Sequence, residues 1–84
     1  MAELARFLGI VIYLYYFDDA KHHAPHIHVA YGEYEAVFDL NGNLLEGRLP
    51  PKQTKSVRHF CEDYYDDIRA AWDKAVVGEP FRRI

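Results

Sequence analysis

Two histidines two residues apart, His26 and His28, stand just ahead of two glutamates at the same spacing, Glu33 and Glu35. Residues i and i+2 of a β-strand point the same way, so each pair presents both side chains on one surface. A carboxylate beside an imidazole fixes its tautomer and raises its basicity, which serves a general base or a metal ligand equally well. Three chemistries are open to this set. Two histidines plus a carboxylate could hold zinc with a water-bearing position left open, and His22 or His23 in the preceding loop could supply a third nitrogen. A metal-free His–Glu pair could act as general acid and base, as in phosphodiester cleavage. The same face could also be a solvated or partner-binding surface.

A second set is cationic. Arg48, Lys52, Lys55 and Arg58 form a basic stretch with no acid among them. Lys52, Lys55 and Arg58 recur every three residues, so on a helix they share a face. They fall in the early turns of the helix expected here, where the dipole prefers anions. Such a placement suits an RNA backbone or an acidic partner; the plainer reading is a solvated face with Arg58 paired to Glu62. The acidic stretch Glu62, Asp63, Asp66 and Asp67 follows directly and reads as a solvated face. Cys61 is the single cysteine; in an apolar helical pattern it acts as a small hydrophobe.

These side chains need a scaffold. Gly9 to Phe17 is apolar on both alternating sets and reads as an interior strand. It carries Tyr13, Tyr15, Tyr16 and Phe17, aromatics that suit either a core or an interface. Residues 1–8 read as a lead-in, and residues 18–25, polar and closed by Pro25, as a loop. His26 to Tyr31 and Glu33 to Leu40 read as a hairpin. With Val29 opposite Tyr34, the apolar residues Ile27, Val29, Tyr34, Ala36 and Phe38 share one face. His26, His28, Glu33, Glu35 and Asp39 then share the other, with His28 directly opposite Glu35. A one-residue slip would mix the two sets. Asn41-Gly42-Asn43 is a turn signal, and Leu44 to Leu49 a fourth strand ended by Pro50-Pro51. From Val57 to Val76 apolar residues recur at three and four, giving one helix or two that break near residues 65–67. Pro51 suits its first turn and Gly78 its C-terminal cap. The expected fold is α+β: a four-stranded, mostly antiparallel sheet followed by C-terminal helix, or two helices, packed on one face. Residues 1–84 read as a single domain.

Composition sets the class. Half the residues are hydrophobic and 15% aromatic, enough for a core in a short chain. The net charge of −3 gives no support to non-specific nucleic-acid binding. The run from Phe7 to Phe17 is too short to span a bilayer. One cysteine in a domain this small points to the cytoplasm.

The segments RFLGIVIYLYYFDD, HAPHIHVAYGEYEAVFDL, LEGRLP and VVGEPFRRI resemble a bacterial family of small proteins, the domain of unknown function DUF4160. The most specific part is Pro25-His26-x-His28-x-x-Tyr31-Gly32-Glu33-Tyr34-Glu35-Ala36. The family signature has two prolines before the first histidine and Phe between the two; here Ala24-Pro25 and Ile27 stand instead, changes that spare the polar atoms. Genes of such proteins often lie beside a gene for another small domain. The resemblance therefore implies a toxin-like component of a two-gene, toxin–antitoxin-type module with a cognate small protein as partner. In an enzymatic version the target is RNA: His28, polarised by Glu35, is the base, His26 the acid, Glu33 completes the face, and Lys52, Lys55, Arg58 and Arg48 hold phosphate. In the alternative the chain is a non-catalytic interaction module or a structural zinc domain holding metal through His26, His28 and His23. A homodimer is compatible with either.

Overall fold

The computed structural model describes residues 2–17 and 24–84. Five strands come first: β1 (Ala2–Phe7), β2 (Ile10–Leu14), β3 (His26–Tyr31), β4 (Tyr34–Asp39) and β5 (Leu44–Gly47). Helices α1 (Pro51–Asp63) and α2 (Tyr65–Ala75) follow. The strands form one antiparallel sheet in sequence order, β1-β2-β3-β4-β5. The α+β architecture is as expected, with five strands rather than four.

The extra strand is the stretch read as a lead-in. Its alternation is interrupted by an irregularity between Glu3 and Ala5, where the pairing with β2 shifts register. Leu4 and Ala5 are consequently both buried. A bulge adds one residue to a strand and destroys the two-residue period, so AELARF reads as no strand at all. The β1–β2 turn is two residues, Leu8-Gly9, both at positive φ (50° and 77°). Leucine in that region is strained, and Leu8 is also 80% exposed.

The central hairpin differs by two residues from the expected register. Val29 pairs with Ala36, His28 with Val37, and Tyr31 with Tyr34 across the two-residue turn Gly32-Glu33. A shift of two keeps every side chain on its expected face but changes every neighbour. The short turn decides it: Gly32 takes φ 55°, which suits the first central position of a tight hairpin. In the β4–β5 connection, Asp39 Oδ1 accepts from the backbone N–H groups of Asn41 and Asn43 (2.9 Å each).

The core lies between the sheet and the helices. Ile10, Ile12, Leu14, Ile27, Val29, Ala36 and Phe38 face Val57, Phe60, Cys61, Ile68, Ala71, Trp72 and Ala75. Pro51 occupies the first turn of α1. The helical stripe breaks at Tyr64, whose φ of −122° leaves the helix for one residue; Tyr64 is therefore exposed although it lies in the apolar repeat. At the end of α2 the Gly78 N–H bonds Ala75 O (3.0 Å) and the Glu79 N–H bonds Lys74 O (2.8 Å), the bonding pattern of a Schellman cap. Among the described residues, no helix is long and apolar enough to cross a membrane.

Candidate functional site

The helices cover one face of the sheet; the other bears the polar half of the hairpin. Across that open face Glu3, Tyr13, His28, Val37 and Glu46 stand in one row, each paired with the next. Arg6, Val11, Ala30 and Glu35 form the adjoining row. The Tyr13 and His28 rings lie nearly parallel at 5.5 Å. Tyr15 stands edge-on to both, 4.5 Å from His28 and 5.6 Å from Tyr13. Tyr13 is 8% exposed, Tyr15 41%, and His28 is half-buried. Burial pushes the Tyr13 hydroxyl up from 10.0 to about 12, helped by the Tyr15 hydroxyl and the Glu35 carboxylate beside it. Tyr13 thus stays a protonated hydrogen-bond donor. The reachable groups form an aromatic–imidazole cluster with a carboxylate at its edge. It can stack on flat groups and attract cations.

The expected His28–Glu35 opposition is not formed. Val37 stands opposite His28, and Glu35 stands opposite Ala30. Glu35 still shares the face, but one pair further along. Glu33 sits in the exposed turn, five residues of β3 from His26, or about 16 Å at ~3.3 Å per residue.

His26 shares the register face of His28, and their rings are 5.3 Å apart. Yet His26 is only 1% exposed. Its ring packs on Trp72 of α2 at 4.8 Å, and its Nδ1 lies 3.0 Å from Ala24 O. A carbonyl only accepts, so Nδ1 carries the proton. A side chain so enclosed offers little to a substrate or to zinc. His22 and His23, the further nitrogens expected for a metal, lie outside the described residues. Among the described residues, no group of three His, Cys, Asp or Glu side chains converges to hold a metal.

The expected phosphate ligands lie on the helix side of the sheet. The Arg48 guanidinium is 5.4 Å above the Tyr34 ring, which packs against the core. Arg58 Nε donates to Gly42 O at 3.2 Å, tying α1 to the β4–β5 turn. Lys52 and Lys55 are exposed on α1. The structure therefore brings His28 and His26 together, sets Glu35 on the same face beyond His28 and away from His26, and leaves the basic stretch apart from them. Sequence reasoning singled out Tyr13 and Tyr15 but did not join them to His28. The two-residue alternation along β2, once paired with β3, is the signal that joins them.

Cys61 is buried, and burial, with the nearby Asp39 charge, pushes its thiol up from 9.0 to about 12. Cys61 and Tyr13 are both favoured as neutral groups in the fold. The unfolded chain releases the Cys61 proton near 9.0 and the Tyr13 proton near 10.0. The contribution of both groups to stability is therefore complete below pH 9 and is lost as pH rises from there toward 12. Urea unfolding at about pH 8 and about pH 11 is expected to show this loss, partly removed in Cys61→Ala. A midpoint that does not fall over that range contradicts it.

The fold and site define a two-layer α+β domain, helices on one face of a five-stranded sheet and an aromatic–imidazole patch on the other. The chain belongs to the family described as a domain of unknown function (DUF4160), whose sequence profile matches residues 9–73. No curated protein and no solved structure matches the chain.

Proposed function

We propose that this domain is a cytoplasmic protein-interaction module, the toxin-like member of a two-gene pair of toxin–antitoxin type. Its cognate small partner docks on the open sheet face. The observation that carries this reading is the packed cluster of Tyr13, His28 and Tyr15 on the face the helices leave uncovered, with Glu35 at its edge. Aromatic clusters of this kind anchor protein interfaces. His28 contributes a ring face to the contact rather than a proton. A ribonuclease would draw on His26 as its acid and on Lys55 and Arg58 for phosphate. The burial of His26 and the placement of the cations favour the binding reading instead.

The test is titration of the purified chain with the small protein encoded beside it, followed by calorimetry. Tyr15→Ala and Glu35→Lys are each expected to weaken binding about tenfold or more, with circular dichroism unchanged. Binding that is insensitive to both would remove the open face as the site. Absence of binding would remove the partner reading. RNA loss in cells expressing wild type but not His28→Ala would restore the ribonuclease.

A further inference from the structure

Helix α1 carries the wrong charge at each end for its own dipole. Its first turn has no acid and its last turn no base. Lys52 and Lys55 stand near the positive end; Glu62 and Asp63 stand at the negative end. Each misplaced charge disfavours an isolated helix. Among the described residues, none of these four makes an ion pair within the chain. At ~100° per residue they fall, with His59, on one ridge within about 60° of a common direction, and all five are exposed. The ridge is therefore positive in its first half and negative in its second.

Such a ridge is complementary to itself when turned end for end. Beside it runs a groove lined by Phe7, Leu8, Phe60 and Tyr64, where Leu8 holds a strained, exposed position. The two-residue β1–β2 turn imposes that conformation, and it leaves the apolar Leu8 side chain displayed beside the groove.

We infer that a second copy of this chain docks on the α1 ridge, as a two-fold dimer with its α1 helices antiparallel. The axis passes close to His59, so Lys55 of each copy meets Glu62 and Asp63 of the other, and every contact occurs twice. Lys52 extends toward the acidic start of the other copy's α2. The antiparallel neighbour opposes both the ridge charges and the helix dipole, and Leu8 of each copy flanks the joint groove and is covered there. The dimer leaves the open sheet face free, so it is independent of the partner proposed above.

Sedimentation of the purified chain alone, from low micromolar to several hundred micromolar, is the test. Wild type is expected to shift from monomer to dimer across that range. Lys52→Glu/Lys55→Glu makes the ridge wholly acidic, and Glu62→Lys/Asp63→Lys makes it wholly basic. Each is expected to remain monomeric alone, and the two mixed are expected to form a heterodimer. All four substitutions in one chain restore the homodimer, because each reversed charge then meets its reversed partner. All lie on an exposed ridge, and far-UV circular dichroism checks that the helix persists. Wild type that stays monomeric, a dimer untouched by either reversal, or reversed chains that fail to pair would each overturn the proposal.

Discussion

Gly47→Ala is expected to lower the unfolding free energy by about 3 kcal/mol or more, from two sources: left-handed backbone strain and a collision. Gly47 takes φ 71°. A Cβ there would stand 2.1 Å from the Glu35 carbonyl oxygen and 3.0 Å from Ala36 Cα. Both obstacles are backbone of the neighbouring strand, so no rotamer change relieves them. β5 would have to move away, breaking the Arg48 N–H bond to Glu35 O (3.1 Å) and drawing Arg48 from the Tyr34 ring. A domain of this length holds roughly 4–12 kcal/mol in total, so the change removes a large share. Gly32→Ala is the comparison. Gly32 also has positive φ, 55°, but a Cβ there meets nothing within 4 Å. It is expected to cost only the strain, about 1 kcal/mol. Urea midpoints of the two variants decide the matter; equal losses would show that close approach is not what fixes glycine at 47.

The second large effect is expected at His26. Truncation to Ala removes a ring packed on Trp72 and takes the donor away from the Ala24 carbonyl. A buried ring leaves a cavity, and a buried acceptor without its donor adds a desolvation penalty; together they amount to about 2–4 kcal/mol. His28→Ala, at a half-buried position on the open face, is expected to cost about 1 kcal/mol or less. Thermal melts of the two single variants separate the roles. If His26→Ala melts with wild type, the packing on Trp72 contributes little. The contrast also governs functional experiments: a double His26/His28 substitution would confound loss of fold with loss of a surface. The single His28→Ala is the informative one.

Much of the frame was legible because its signals are local. Pro51 at the start of α1, the Asn41–Asn43 turn and the cap around Gly78 depend on a few neighbouring residues, and each lies where its chemistry places it. The facing of the central hairpin was legible too, since alternation separates the apolar from the polar set. The partners across it were not. A two-residue shift leaves the facing untouched, so no pattern of polarity distinguishes His28 opposite Glu35 from His28 opposite Val37. Only the length of the turn at Gly32-Glu33 does. β1 was hidden by its bulge. The burial of His26 was hidden for another reason: it depends on the ring of Trp72, 46 positions away in α2.

Every strand of this sheet pairs with its neighbour in the chain. No strand must wait for a distant segment to find its place. Chains dominated by such short-range pairings cross their folding barrier quickly, ahead of β-proteins that close long loops. Here the hairpins can form on the microsecond scale typical of isolated ones, and the slower step is the arrival of α1 and α2 on the apolar side. Until they arrive, Ile12, Val29 and Phe38 face water together. The interval before the helices dock is therefore the one in which the newly made chain is most exposed to wrong association.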